Sequence, residues 1–279
     1  MAKSNTGYAV AELMACVMAR DFKDGELGAM GAASQIPMAA AKLARATHAP
    51  NLNWLSGGSG AINSKLPYLI QSAADYRNLF GAECRLSMED IVDIEVRGRC
   101  DFSCYGAIQV DKHGNLNMLA VGDIKRPKMR GPGSVGLSLS AAFRRFYIYL
   151  THHDPRILVE KVDYISGPGF CDGTLERDKY VQPGAMGPCL CVTPLAVFDF
   201  DRTKREMRLK SVHPGVSVDF LLSQTGFQPI LPAKVPETEP PGAGEMRLLR
   251  EVIDREGVLR RMIHPQKCAK GTALERCDS

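Results

Sequence analysis

The run Asn51-Leu52-Asn53-Trp54-Leu55-Ser56-Gly57-Gly58-Ser59-Gly60 passes from a short apolar segment directly into small residues and glycine. Residues 51–55 have the length and composition of a buried strand, and residues 56–60 permit a tight turn in which the backbone can come close to a ligand. Upstream, Val10, Leu13, Met14, Val17 and Met18 recur with a helical period across residues 8–22, and Asp24-Gly25 ends that helix. Residues 27–33 read as a strand and the turn that follows it. Ser34-Gln35-Ile36-Pro37 then leads into an alanine-rich helix over 38–46, with Pro37 suited to a first helical turn. Strand, glycine-bearing turn and helix make half of a βαβ unit. Ligands in open α/β sheets sit outside the carboxyl ends of strands, so the 56–60 turn and the N-terminus of the 38–46 helix are the first candidate site.

Downstream, residues 102–109 and 116–121 flank Asp111-Lys112-His113-Gly114-Asn115, whose Asp, Gly and Asn are turn chemistry, and the pattern predicts a hairpin-like pair. Further strands are predicted over 146–150, 162–165, 190–192, 196–200 and 207–212. Residues 229–244 are a proline-rich link, and Met246, Leu249, Val252 and Ile253 predict a helix over 245–263. The fold class is α/β, an open sheet with a β-rich second half and no internal repeat.

Composition narrows the function. The 279 residues carry 35 Lys+Arg against 31 Asp+Glu, an excess of +4 that is too small for a nucleic-acid-binding face unless the charges cluster. They cluster only over 125–145, where Lys125, Arg126, Lys128, Arg130, Arg144 and Arg145 meet no acid and surround Gly131-Pro132-Gly133-Ser134-Val135-Gly136. A local anion site is the expectation, with no nucleic acid as partner. No apolar run reaches membrane-spanning length, and the opening MAKSNTGYAV lacks the pattern of a leader, so no membrane partner and a cytoplasmic location are expected. The nine cysteines form no C-x-x-C pair, which fits reduced thiols, and Cys189 and Cys191 are expected on one face of a strand as core residues. His152, His153 and His213 lack partners at ligand spacing, so no metal is expected.

An ordered series of motifs resembles the β subunit of family I coenzyme A transferases, the glutaconate CoA-transferase branch. It comprises Gly106-Ala107-Ile108-Gln109-Val110-Asp111 with Gly114-Asn115-Leu116-Asn117, Gly122-Asp123 with Pro127-Lys128-Met129-Arg130 and the glycine loop, and Val162-Asp163-Tyr164-Ile165-Ser166-Gly167-Pro168-Gly169-Phe170-Cys171-Asp172-Gly173. Gly187-Pro188, Val197-Phe198-Asp199-Phe200, His213-Pro214-Gly215, Thr225-Gly226-Phe227 and Leu248-Leu249-Arg250-Glu251-Val252-Ile253-Asp254 follow in order. The resemblance implies one CoA-transferase-type α/β domain over residues 1–262 with a tail over 263–279. It also implies a homologous α subunit in a heterodimer or heterotetramer, and an active site between the subunits that handles an acyl-CoA thioester. Coenzyme A then enters as part of the substrate, and no permanently bound cofactor is expected.

Transferases of the family place a nucleophilic glutamate shortly after an Ala-Pro pair, before a glycine-containing turn. Counting from Ala49-Pro50, that place falls on or beside Gly57, and residues 27–74 contain no Asp or Glu at all. A carboxylate is needed for the mixed anhydride and enzyme-CoA thioester of ping-pong transfer, which glycine and serine cannot form. The resemblance is therefore to the branch that lacks the glutamate, the ring-opening hydrolases of steroid catabolism, in which the acid-base carboxylate belongs to the α subunit; a further relative decarboxylates a CoA ester. The reaction implied is hydrolytic or decarboxylative C–C cleavage of an acyl-CoA in aromatic, alicyclic or steroid catabolism. CoA transfer between carboxylic acids and a non-catalytic subunit that completes the partner's pocket are the alternatives.

The expected site residues follow. Ser56, Gly57, Gly58 and Ser59 line the pocket vacated by the glutamate and offer N–H groups to an oxyanion. Gly131, Gly133, Ser134 and Gly136 let the backbone approach the thioester arm, with Lys128 and Arg130 near enough to meet phosphate. Gln109 shapes the wall, unless it and its neighbours Asp111, Asn115 and Asn117 serve only to build their turn.

Overall fold

A computed structural model describes residues 7–31, 33–72, 74–134 and 136–263; residues 264–279 of the expected tail lie outside them. The chain opens with α1 (Val10–Asp21), β1 (Leu27–Met30), α2 (Gln35–Thr47) and β2 (Asn53–Ser56). These are the elements the local periodicity predicts. Two short strands, β3 (Ala61–Ile62) and β4 (Cys84–Arg85), and a helix α3 (Met88–Val96) then lead to β5 (Phe102–Tyr105). The second half is built from β6 (Gln109–Asp111), β7 (Leu116–Asn117), β8 (Ala120–Val121), β9 (Met129–Arg130), β10 (Arg145–Tyr149), β11 (Leu158–Val159), β12 (Pro188–Val192), β13 (Ala196–Asp201) and β14 (Glu206–Val212).

Among the described residues the main sheet has nine strands in the order β14-β13-β12-β10-β5-β1-β2-β3-β4. The pairs from β12 through β2 are parallel, and antiparallel pairs flank them on both sides. Alternation along the strands divides the interior into two cores. Met30, Trp54, Phe102, Cys104, Tyr147 and Tyr149 face α1, α2 and the C-terminal helices. Ala29, Tyr105, Phe146, Ile148 and Cys191 face the other way, against Val110, Leu116 and Leu158 of the small β11-β6-β7 sheet.

Four expectations are corrected. Residues 102–109 do not form one arm of a hairpin: β5 ends at Tyr105 and pairs with β1 and β10, and the hairpin is the shorter β6–β7. No strand forms over 162–165, because Asp163 is held by side-chain bonds, its N–H donating to Gln109 Oε1 (3.1 Å) and its carboxylate accepting from Gln109 Nε2 (3.2 Å) and the Gly122 N–H (2.9 Å). The helix expected over 245–263 is divided into a helical turn at Ala243–Leu248, a π-turn at Leu249–Ile253 and a last short helix at Val258–Met262. Asp254 makes the break by accepting the N–H groups of Val258 and Leu259 at 2.8 and 2.9 Å. Finally, a register shift where β12 meets β10 sets Cys189 against the helical core and Cys191 in the other.

The proline-rich segment 229–244 runs beside β14. Leu209 N–H donates to Ile230 O (2.9 Å), Val212 N–H to Pro236 O (3.1 Å) and Thr238 N–H to Val212 O (2.7 Å).

Candidate active site

From β1 the chain moves to β2 on one side, then returns to place β5 on the other side of β1. The carboxyl ends of β1 and β5 thus diverge into a crevice of the kind that takes ligands in open α/β sheets. Its rim is made of small residues: Gly31 and Ala33 after β1, Gly57 and Gly58 after β2, and Gly106 after β5, all half-buried or exposed. Two tyrosines that end their strands brace it. Tyr149 donates its hydroxyl to Ala33 O (2.6 Å) and lies 3.4 Å from Ser34 Oγ at the start of α2, while Tyr105 donates to Gly136 O (3.4 Å). Neither tyrosine is among the residues expected from the sequence; their signal is an aromatic with a polar tip at the last position of a buried strand.

The 56–60 turn is fixed by bonds within itself and to the segments around it. Gly57 donates its N–H to Met30 O (2.8 Å), and Gly60 donates to Ser56 O (3.0 Å). Ser56 is buried, with its Oγ accepting from Asn78 Nδ2 (3.1 Å), and Ser59 Oγ donates to Ser56 O (3.3 Å). Both serines and the Gly57 amide are therefore engaged in building the turn, and Gly58, exposed and with φ +94°, is the residue it presents to solvent. A Cβ on Gly57 would stand 2.9 Å from Met30 O, so a side chain there requires the end of β1 to move.

The glycine loop reaches the same crevice by one end only. Gly136 meets Tyr105, and Ser134 O accepts the Leu137 N–H (3.0 Å). At the other end Gly131 crosses Met118 so closely that a Cβ would lie 2.0 Å from its carbonyl oxygen, whereas a Cβ on Gly133 or Gly136 would meet nothing within 4 Å. Lys128 and Arg130 are exposed beside and on β9, with Arg130 donating to Ile124 O (3.1 Å). The basic run does not act as one group: Arg144 pairs with Asp101 (3.2 Å) and Arg145 with Glu26 (2.7 Å) at the opposite, amino-terminal ends of the strands.

Gln109 is buried in a network of its own. It accepts from Asn117 Nδ2 (2.6 Å) and binds Asp163, which fixes the root of the β8–β9 pair. Asp111 accepts from the N–H groups of His113 and Asn115 (3.0 Å each) and from Asn115 Nδ2 (2.9 Å), and burial still pushes its carboxyl above the usual range. It builds the turn and is kept from solvent. His153 and His213 are buried among threonine hydroxyls. No group of three or more His, Cys, Asp or Glu among the described residues is arranged to hold a metal, and no described helix is long and apolar enough to cross a membrane.

The sequence pattern of the coenzyme A transferase family matches residues 11–224. The chain belongs to that family. As a coenzyme A transferase family chain it is similar to the β-type chain of glutaconate CoA-transferase from Acidaminococcus fermentans, 29% identical over 254 residues that span 89% of this chain and 94% of that one. The solved structure of the A. fermentans enzyme superposes with a TM-score of 0.82 at 28% identity, covering 94% of this chain and 99% of its own. The cholesterol ring-cleaving hydrolase IpdB subunit of Rhodococcus jostii is 29% identical over 261 residues, 91% of this chain and 96% of that one. The structure of the decarboxylase AibA/AibB gives a TM-score of 0.78 at 29% identity, covering 91% and 98%. The family fold therefore accounts for nearly the whole chain.

Proposed function

We propose that this chain is the β-type subunit of a two-subunit enzyme that cleaves a C–C bond in an acyl-CoA substrate, by hydrolysis or decarboxylation, and that it forms no covalent enzyme-CoA intermediate. The observation that carries this reading is Gly57. It holds the place expected of the nucleophile, its N–H is bonded to Met30 O, and residues 27–74 supply no Asp or Glu. Cleavage beside a carbonyl needs an enolate-stabilising pocket and a proton donor or base, and neither has to be a thioester-forming carboxylate of this chain. The ring-cleaving and decarboxylating relatives, 29% identical to this chain as the transferase is, support the choice. The acid-base carboxylate comes from the α-type partner, this chain contributes the rim of the pocket, and coenzyme A is held only as part of the substrate.

The test is trapping. The assembled enzyme, given acyl-CoA and then borohydride or hydroxylamine, is expected to yield no modified carboxylate on this chain by peptide mass spectrometry; a modified Asp or Glu here overturns the reading in favour of CoA transfer. The exposed end of the glycine loop is testable separately. If Arg130 meets a phosphate of the CoA moiety, Arg130→Ala weakens acyl-CoA binding about tenfold in calorimetric titration, the worth of one charge-assisted hydrogen bond. Unchanged affinity makes the loop purely structural.

A further inference from the structure

Helix α3 holds to the molecule by one side. Ile91 is buried and Ile94 packs against the core on the sheet face away from α1 and α2. Met88, Val92 and Val96, spaced by four, form an apolar stripe on the outside and are 52%, 43% and 45% exposed. Glu89 and Asp93 border the stripe; Asp93 is paired with Arg97 (2.7 Å) at the end of the helix, so the acidic charge beside the stripe is carried by Glu89. An apolar stripe at helical spacing normally marks a buried face. Here it faces outward with the Glu89 carboxylate beside it, so its complement is a surface of apolar side chains with a Lys or Arg placed to meet Glu89.

The stripe is joined to the candidate site. The Leu86 N–H, two residues before α3, donates to Gly60 O (2.9 Å) at the end of the turn that carries Gly57. Tyr76 and Phe80, 78% and 62% exposed, belong to the segment whose Asn78 holds Ser56. Exposed aromatics and the α3 stripe thus leave from backbone anchored on the turn of the crevice that carries Gly57. A partner that brings a carboxylate to Gly57 arrives beside them.

We propose that the outer face of α3, with Tyr76 and Phe80, is the seat of the α-type subunit, which meets it with an apolar and basic surface. The inference rests on the reading of this chain as half of a heteromer. A second apolar patch, Leu175, Tyr180 and Met186, surrounds the loop before β12 at the opposite ends of the parallel strands, where Arg205 is paired with Asp178 (2.6 Å). It serves as the control.

The chain is co-expressed with its α-type partner chain, and association is measured by analytical ultracentrifugation. Val92→Lys keeps a good helix former at an exposed position while placing a cation in the stripe; it is expected to weaken association about tenfold or more. Glu89→Lys is expected to weaken it less and to reduce its salt dependence, and Tyr180→Asp to leave it unchanged. Circular dichroism and melting temperature confirm that each variant is folded. Equal association of wild type and both α3 variants overturns the inference and leaves the heteromer standing, as does a loss confined to Tyr180→Asp. Failure of the wild-type chains to associate overturns both.

Discussion

Arg145→Met is expected to lower the unfolding free energy of the chain by about 3–5 kcal/mol, the range for removing one partner of a buried ion pair. The Arg145 guanidinium forks onto Glu26, with Nη1 to Oε1 at 2.7 Å and Nη2 to Oε2 at 2.8 Å, and both side chains are nearly buried, 10% and 13% exposed. Glu26 precedes β1 and Arg145 opens β10, so the pair ties together two strands that are separated in the sheet by β5. Arg145 also donates to the Tyr147 hydroxyl (3.0 Å) and lies 5.3 and 5.4 Å from the centroids of Phe102 and Tyr147. Methionine fills much of the volume but leaves the Glu26 carboxylate without its counter-charge. The double variant Glu26→Leu/Arg145→Met removes both charges and is expected to recover most of the loss. Urea melts of the wild type, both singles and the double close the cycle. A single variant within about 1 kcal/mol of wild type means that water already screens the pair.

The second large effect is on pH. His153 bridges Thr193 Oγ1 (2.8 Å) and Thr225 Oγ1 (3.0 Å), and His213 bridges Thr238 Oγ1 (3.0 Å) and Thr193 O (2.9 Å). Burial pushes the imidazole of His153 down to about 3 and that of His213 to about 4, from an ordinary 6.5. A depressed histidine is neutral in the folded chain and takes up its proton on unfolding. The stability it contributes is complete above about pH 6.5 and falls as the pH drops toward the folded values. By about pH 5 each has lost about 2 kcal/mol, roughly 4 for the two. Glu95, whose carboxyl burial raises to about 7, works with the opposite sign over the same range. The decisive comparison is therefore between the wild type and His153→Gln/His213→Gln. The double variant is less stable at about pH 8, and its stability falls less between about pH 8 and about pH 5. Parallel pH profiles would remove the histidines from the account.

What can be read from the sequence is what neighbours in sequence decide. The apolar period of α1, the proline and alanines of α2 and the passage of β2 into Ser56-Gly57-Gly58 are local signals, and the elements stand where those signals put them. The end of β5 is not legible in this way, because its partners, β1 and β10, lie far away in sequence and only Gly106 marks where it stops. Helix α3 is hidden because its apolar residues point in two directions, Ile91 and Ile94 inward and Met88, Val92 and Val96 outward, so no single stripe stands out. At the site, the Gly57 turn is legible from composition. The assembly of the rim is not, since Gly31 and Gly106 become neighbours only through the parallel pairing of β1 with β5. Nor does any spacing reveal that Arg144 and Arg145, at the start of β10, pair away from the glycine loop, with Asp101 and Glu26.

The segment that composition marks as a linker, 229–244, has a use that follows from where it lies. A sheet ends in a row of unsatisfied amides and carbonyls, and an exposed row is a template on which another chain can polymerise. On one side this sheet ends in the two-residue β4, too short to recruit anything. On the other it ends in β14, seven residues long, and there the Pro-rich segment lies alongside. Pro229, Pro232, Pro236, Pro240 and Pro241 have no amide hydrogen to offer an incoming strand. The segment bonds to β14 while presenting prolines that cannot extend the sheet, so the longer border of the main sheet is sealed against amyloid-like growth.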